Sequence, residues 1–254
     1  MSKVRNYAAL LCLAGTFSAT ASAAIMYDQD VTPDAIFGSG NANGSYTVDR
    51  SNGVELGLRG KLRHNESGNP ENTFNSNGDG TYSFVAGSAV GQSPVTAVWS
   101  VEWSINTDYL GETGWNLNDL EYVFAVDQDA SAGTNFVFSD VINGQSYYDH
   151  SIGTNATGNG GGTEAADANE YANLIDNNNV AQNSRKAHWI IPSFDPTISG
   201  VYDFMMTALN NGQEIASTRI QIIVGDGATD VPEPAGILLL SGLAGIGLFR
   251  RKKA

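Results

Sequence analysis

Six apolar residues at alternate positions, Val95, Ala97, Trp99, Val101, Trp103 and Ile105, constrain this chain more than any other feature. A period of two puts all six on one face of a strand, whereas a helix would scatter them around its circumference. The intervening Thr96, Ser100, Glu102 and Ser104 are polar, so the stretch predicts a strand with two core tryptophans. Val54, Leu56, Leu58 and Leu62 repeat the pattern, with Glu55, Arg59, Lys61 and Arg63 directed toward water. Leu120, Tyr122, Phe124 and Val126 continue it, followed by Phe136 with Phe138, then Ala187 to Ile191. Tyr202 to Ala208 and Ala216 to Val224 alternate on either side of Asn210-Asn211-Gly212, and Asn-Gly between two such runs is a strong short-range hairpin signal. Glu164 to Ile175 departs from this period. Ala168, Tyr171, Leu174 and Ile175 recur at helical spacing after Thr163, a suitable N-cap. The expected fold is all-β, an antiparallel, jelly-roll-like β-sandwich with one short helical excursion and no internal repeat.

Both termini lie outside that domain. Lys3 and Arg5 precede a mostly apolar run from Tyr7 to Phe17, and Ala21-Ser22-Ala23 supplies a small-residue cleavage site. Residues 1–23 therefore read as a signal helix, removed by signal peptidase at Ala21 to Ala23. The single cysteine, Cys12, falls inside it, so the sandwich, residues 24–225, must be held by packing or bound ions without disulfides. Seven of the thirteen Lys and Arg, but all 27 Asp and Glu, lie between Ala24 and Pro234, a formal charge of −20 against −14 for the whole chain. Such a surface repels nucleic acid and anionic membrane and favours cations or neutral glycans as partners.

After a short polar linker, 226–230, the chain reads Pro232-Glu233-Pro234, an uncharged apolar run from Ala235 to Phe249, then Arg250, Arg251, Lys252 and Lys253. Fifteen residues as a helix span roughly 22 Å, a marginal crossing of a hydrocarbon core of roughly 30 Å. The four cations would remain cytoplasmic, with everything before Val231 on the far side. This order resembles the PEP-CTERM sorting signal. The resemblance implies a C-terminal membrane helix in residues 231–254, transient anchoring in the inner membrane of a Gram-negative bacterium, removal by an exosortase, and delivery to the cell surface or exopolysaccharide matrix. Gly38 to Asp49, Asn72 to Phe84 and Asn178 to Ser184 are similar to stretches of the exported β-sandwich proteins that precede such tails, and that similarity carries no activity.

Chemistry is sparse in the remainder. No nucleophile elbow, zinc-binding helix motif or phosphate loop is present, and His64, His150 and His188 sit in no recognisable motif. His150 reads as a solvated loop residue, and His188 as a strand residue at a sheet surface. No cofactor is expected, with calcium the one ion the sequence admits. Asn75, Asn77 and Asp79 stand at alternate positions with Gly80 sixth, the start of an EF-hand-type loop, but position twelve is Ala86 rather than glutamate. Asp127, Asp129 and Asn135 form a second oxygen-rich loop. In both places an ordinary turn is the expected reading and calcium its alternative. Trp115, Tyr147 and Tyr148 are the aromatic residues placed for stacking on a sugar, against the alternative of plugging a sandwich end. The sequence is thus read as a non-enzymatic surface or matrix protein with extracellular polysaccharide as its partner. A carbohydrate-active enzyme, which needs two carboxylates around a cleft, and an ice-binding-like protein, which needs a regular threonine array, are the alternatives.

Overall fold

A computed structural model describes residues 24–144 and 149–227. In chain order the strands are β1 (Met26–Gln29), β2 (Tyr46–Ser51), β3 (Val54–Leu62), β4 (Thr81–Phe84), β5 (Trp99–Asn106), β6 (Glu121–Asp127), β7 (Phe136–Ser139), β8 (Ser151–Gly153), β9 (Val180–Lys186), β10 (Gly200–Asn210) and β11 (Gln213–Val224). Helix α1 (Ala168–Asn177) precedes β9 and the single turn α2 (Ala187–Ile190) follows it. Two sheets face each other. One has the order β1-β2-β3-β5-β9-β8 and the other β4-β11-β10-β6-β7. Neighbours run antiparallel except β4 beside β11, which is parallel, a departure from the all-antiparallel expectation. The signal and membrane helices expected at the termini lie outside the described residues.

Alternation sorts the inner faces. Leu56, Leu58, Trp99, Val101, Trp103 and Ile105 from one sheet meet Tyr122, Phe124, Phe204, Met206, Ile220 and Ile222 from the other, all buried. Trp99 is the hub at one end, within 6.3 Å, centroid to centroid, of Phe84, Phe194, Tyr202 and Phe204. Gly60 takes an inward position so that the sheets can close. A Cβ there would lie 2.8 Å from Ile222 Cδ1 and Phe84 Cε2 and 2.9 Å from Tyr82 Cβ. We therefore expect Gly60→Ala to cost about 1–3 kcal/mol by overpacking, read as a lowered denaturant midpoint with an unchanged slope.

The β10–β11 hairpin turns at Asn211 and Gly212 with φ of 51° and 75°, as two-residue turns of this twist require. Asn52 and Gly53 do the same between β2 and β3. The strand expected from Val95 begins only at Trp99. Residues 88–97 form an arch in which Ala89 N donates to Thr96 O and Thr96 N to Ser93 O, so Thr96 is buried and Val95 is exposed. The helical excursion also starts later than expected. Thr163 exchanges backbone hydrogen bonds with Ile152, and Asp167 caps α1 instead, its carboxylate accepting from Asn169 N and Glu170 N at 2.8 and 2.9 Å. Ala187 to Ile190 form a helical turn rather than a strand, which removes His188 from a sheet surface.

The largest correction concerns the polar face of β3 and β5, which was expected in water. Residues 31–44 cross it, tied down by Thr32 N to Glu55 Oε1 at 2.6 Å, Ile36 N to Gln182 Oε1 at 2.8 Å and Arg59 Nη1 to Gly44 O at 2.6 Å. Gly160 N and Gly162 N in turn bond Ala35 O and Ile36 O. Beneath this strap Arg59 and Glu102 are both 0 % exposed. Arg59 Nε donates to Glu102 Oε2 at 2.8 Å, and its guanidinium lies between the rings of Tyr46 and Phe74, 4.1 and 3.9 Å from their centroids. Lys61 Nζ is 3.7 Å from Glu102 Oε1 and donates to Asn41 Oδ1. Burial lowers the Lys61 pKa, with Glu102 opposing it, and raises that of Glu55 against the pull of Thr32 and Arg50.

Candidate functional site

The two calcium loops are built as turns. Asn75 Nδ2 donates to Ser83 O, Asn77 Nδ2 to the hydroxyls of Thr81 and Ser83, and the Asp79 carboxylate accepts from Thr81 N and Oγ1. These last bonds hold the Asp79 carboxyl below its ordinary pKa. In the second loop Asp127 Oδ1 accepts from Asp129 N at 3.1 Å and Asn135 N at 2.8 Å, closing the connection between β6 and β7, while Asp129 Oδ1 accepts from Ser131 N. Asp127 Oδ2 is buried without a hydrogen-bond partner, and desolvation raises its pKa. Among the described residues no group of three or more histidine, cysteine or carboxylate side chains is arranged to hold a metal ion.

Trp115 is half-buried and packs against the main core. Tyr147 and Tyr148 lie outside the described residues, as do Ala21, Ala23, Pro232, Glu233, Pro234, Arg250, Arg251, Lys252 and Lys253. His150 is a correction. It is fully buried beneath Trp103, with ring centroids 4.9 Å apart, and Nε2 is 2.6 Å from Val141 O while Nδ1 is 2.8 Å from Asn183 Nδ2. A carbonyl at one nitrogen and an amide donor at the other define the neutral tautomer protonated on Nε2. Burial takes its pKa down to about 4.

The structure brings together an aromatic site that strand periodicity hid. Because α2 is a helical turn, Trp189 projects from the flank where the two sheets part, and it is 55 % exposed. Lys186 Nζ lies 5.3 Å from its ring centroid. Trp189, Ile190, Arg185, Trp103 and Phe124 line a cavity of about 200 Å³. Arg185 is oriented by Asp149 at 3.5 Å, and Trp103 Nε1 is buried with no hydrogen-bond partner. The sequence signal for this site was Pro192, which ends the apolar run at Ile191 and makes so short a segment ambiguous between strand and helix.

A larger cavity, about 610 Å³, opens among the loops following β3 and β4, with Leu62, Phe84, Val85, Val90 and Val98 on one side and His64, Glu66 and Glu71 on the other. His64 Nδ1 donates to Gly68 O at 3.1 Å, leaving Nε2 as a buried acceptor without a partner. Neither Glu55 nor Asp127, the carboxyls whose pKa is raised, lines either cavity.

The other end of the chain carries a recognised signal. Residues 230–253 match the PEP-CTERM protein-sorting motif. The match takes in Pro232 to Pro234 and the four terminal cations, and it marks an exported protein made as a membrane-anchored precursor and processed by an exosortase. It does not reach the sandwich. No curated protein and no solved structure matches the chain.

Proposed function

We propose that the sandwich is a non-catalytic, glycan-binding module of the cell surface or exopolysaccharide matrix, delivered there after signal peptidase and an exosortase remove the two ends. The observation that carries the reading is Trp189, a large aromatic ring kept half in water by a helical turn, with an ammonium group over it and an aromatic-lined cavity behind it. A pyranose presents an apolar face to such a ring and hydroxyls to Lys186 and Arg185. A cavity of about 200 Å³ admits a portion of a polysaccharide, such as one ring or branch. A non-catalytic role is favoured because Glu55 and Asp127 are held by backbone and arginine groups outside both cavities described, where a glycosidase would place its general acid. The outward face of β10 and β11 carries Asp203, Met205, Arg219 and Gln221 alongside Thr207, unlike the regular threonine array an ice-binding surface requires.

Affinity electrophoresis of the purified protein through gels containing the host's exopolysaccharide tests the reading. The wild type is expected to be retarded, and Trp189→Ala to weaken retention about tenfold, equivalent to ~1.4 kcal/mol. Equal migration of the two proteins, or no retardation of either, defeats it.

A further inference from the structure

The chain leaves the sandwich at one particular end. Gly225 N donates to Phe84 O at 2.8 Å, Asp226 N to Ser199 Oγ at 3.4 Å and Gly227 N to Val224 O at 3.1 Å, so the backbone is pinned there through Gly227. Register places the end of β3, the end of β4, the start of β5, the start of β10 and the end of β11 together at this end, with Trp99 packed on both Phe84 and Tyr202. Only seven residues, 228–234, separate Gly227 from the apolar run of the sorting tail. Fully extended they reach at most about 25 Å, less than the roughly 40 Å breadth of a domain of this size. While the tail is in the bilayer, the sandwich cannot stand on its opposite end with the exit end a full domain breadth above the membrane.

The loops at the exit end carry an unusual surface. Val85, Val90, Val95 and Ile198 are 69, 58, 45 and 51 % exposed, four of the nine large hydrophobic side chains that stand in water among the described residues. Gly87 N donates to Pro196 O at 2.6 Å, tying the loop bearing the three valines to the loop bearing Ile198. Glu66, Glu71 and Asp195 share this end with Arg63 and Lys186, so its charge is mixed and the exposed apolar side chains, not a cationic patch for lipid phosphate, distinguish it. We propose that these four side chains form a membrane-contacting face, on which the sandwich of the tail-anchored precursor rests at the level of the lipid headgroups. Burying them in the interface shields apolar surface that would otherwise remain wet and holds the Pro-Glu-Pro segment close to the bilayer. Once the tail is cut, the same small area is too weak to keep the domain bound, and the protein leaves the membrane.

This inference rests on the anchored-precursor reading, and the test separates the two. The full-length chain, in a Cys12→Ala background that removes its only cysteine, is reconstituted into phosphatidylethanolamine–phosphatidylglycerol vesicles and labelled with a fluorophore at one introduced cysteine. Labels at Val90→Cys and Ile198→Cys are expected to be quenched by headgroup-nitroxide lipid at least roughly twofold more than a label at Leu110→Cys, at the opposite end of the sandwich. A label at Gly242→Cys, at the centre of the apolar run, reports tail insertion through quenching by acyl-chain-nitroxide lipid. Quenching at Gly242→Cys without preferential quenching at Val90→Cys and Ile198→Cys overturns the contact face and leaves anchoring intact. No quenching at Gly242→Cys overturns the anchoring on which both depend.

Discussion

Glu102→Gln is expected to destabilise the domain by about 3–5 kcal/mol, lowering the midpoint of thermal unfolding by roughly 10 °C for a chain of this length. The reason lies in the dry layer under the strap. Glu102 is the carboxylate that faces both Arg59, through Nε at 2.8 Å, and Lys61 at 3.7 Å, and neither it nor Arg59 touches water. An amide keeps the shape but leaves the guanidinium without its counter-charge in a place water does not reach. Removing one partner costs much more than the intact ion pair contributes, because the remaining charge keeps its full desolvation penalty. The double variant Arg59→Met with Glu102→Leu is therefore expected to recover most of the loss, since Tyr46 and Phe74 already present apolar faces to position 59. Equilibrium denaturation of wild type, single and double variants checks this. A loss below about 1 kcal/mol for Glu102→Gln would mean that water or the strap relaxes to solvate Arg59.

That ion pair also marks where sequence reasoning stops. Period-two alternation identified the inner faces of β3, β5, β6, β10 and β11, because each is set by nearest neighbours along one strand. It placed Trp99 and Trp103 in the core, where they are. The same logic sent Glu55, Arg59, Lys61 and Glu102 into water, since polar residues opposite an apolar face ordinarily meet solvent. What covers them is a strap without periodicity, held by backbone-to-side-chain bonds that join residues 23 and 146 positions apart. No local pattern encodes such contacts. His150 and the run from Ala187 to Ile191 were misjudged for a related reason. A histidine among polar loop residues was buried by an aromatic pair from β5 and α1, and a tryptophan in a strand-like run was turned outward by one helical turn. The oxygen-rich loops were legible as turns because Asn, Asp and Gly at those spacings bond their own backbone.

Acid is expected to weaken the fold through His150, with a loss of about 3 kcal/mol as the pH falls from 6.5 to 4. The folded pKa of about 4 lies below the ordinary value of 6.5, chiefly because the ring is desolvated. As pH drops through that window the unfolded chain takes up the proton and the folded chain does not, so the stability present above pH 6.5 drains away until the folded ring titrates. Geometry opposes protonation as well as burial does. A proton on Nδ1 would meet the Asn183 amide nitrogen, and turning that amide would sacrifice the bond its oxygen accepts from Ser184 N at 2.6 Å. Arg185 disfavours the imidazolium and Asp149 favours it, a smaller balance than the desolvation. His64 and His188, also lowered by burial, push stability in the same direction, whereas Glu55 and Asp127, raised by burial, push against it. The measurement is therefore a difference. Unfolding free energy is followed against pH for wild type and for His150→Phe, which keeps an aromatic ring beside Trp103 but cannot titrate. The variant is expected to be less stable above pH 6.5, where it leaves Val141 O without its donor and removes one of the acceptors of Asn183 Nδ2, and the two curves should converge toward pH 4. Curves that stay parallel across the window would show that the ring takes up its proton equally in the folded and unfolded chain.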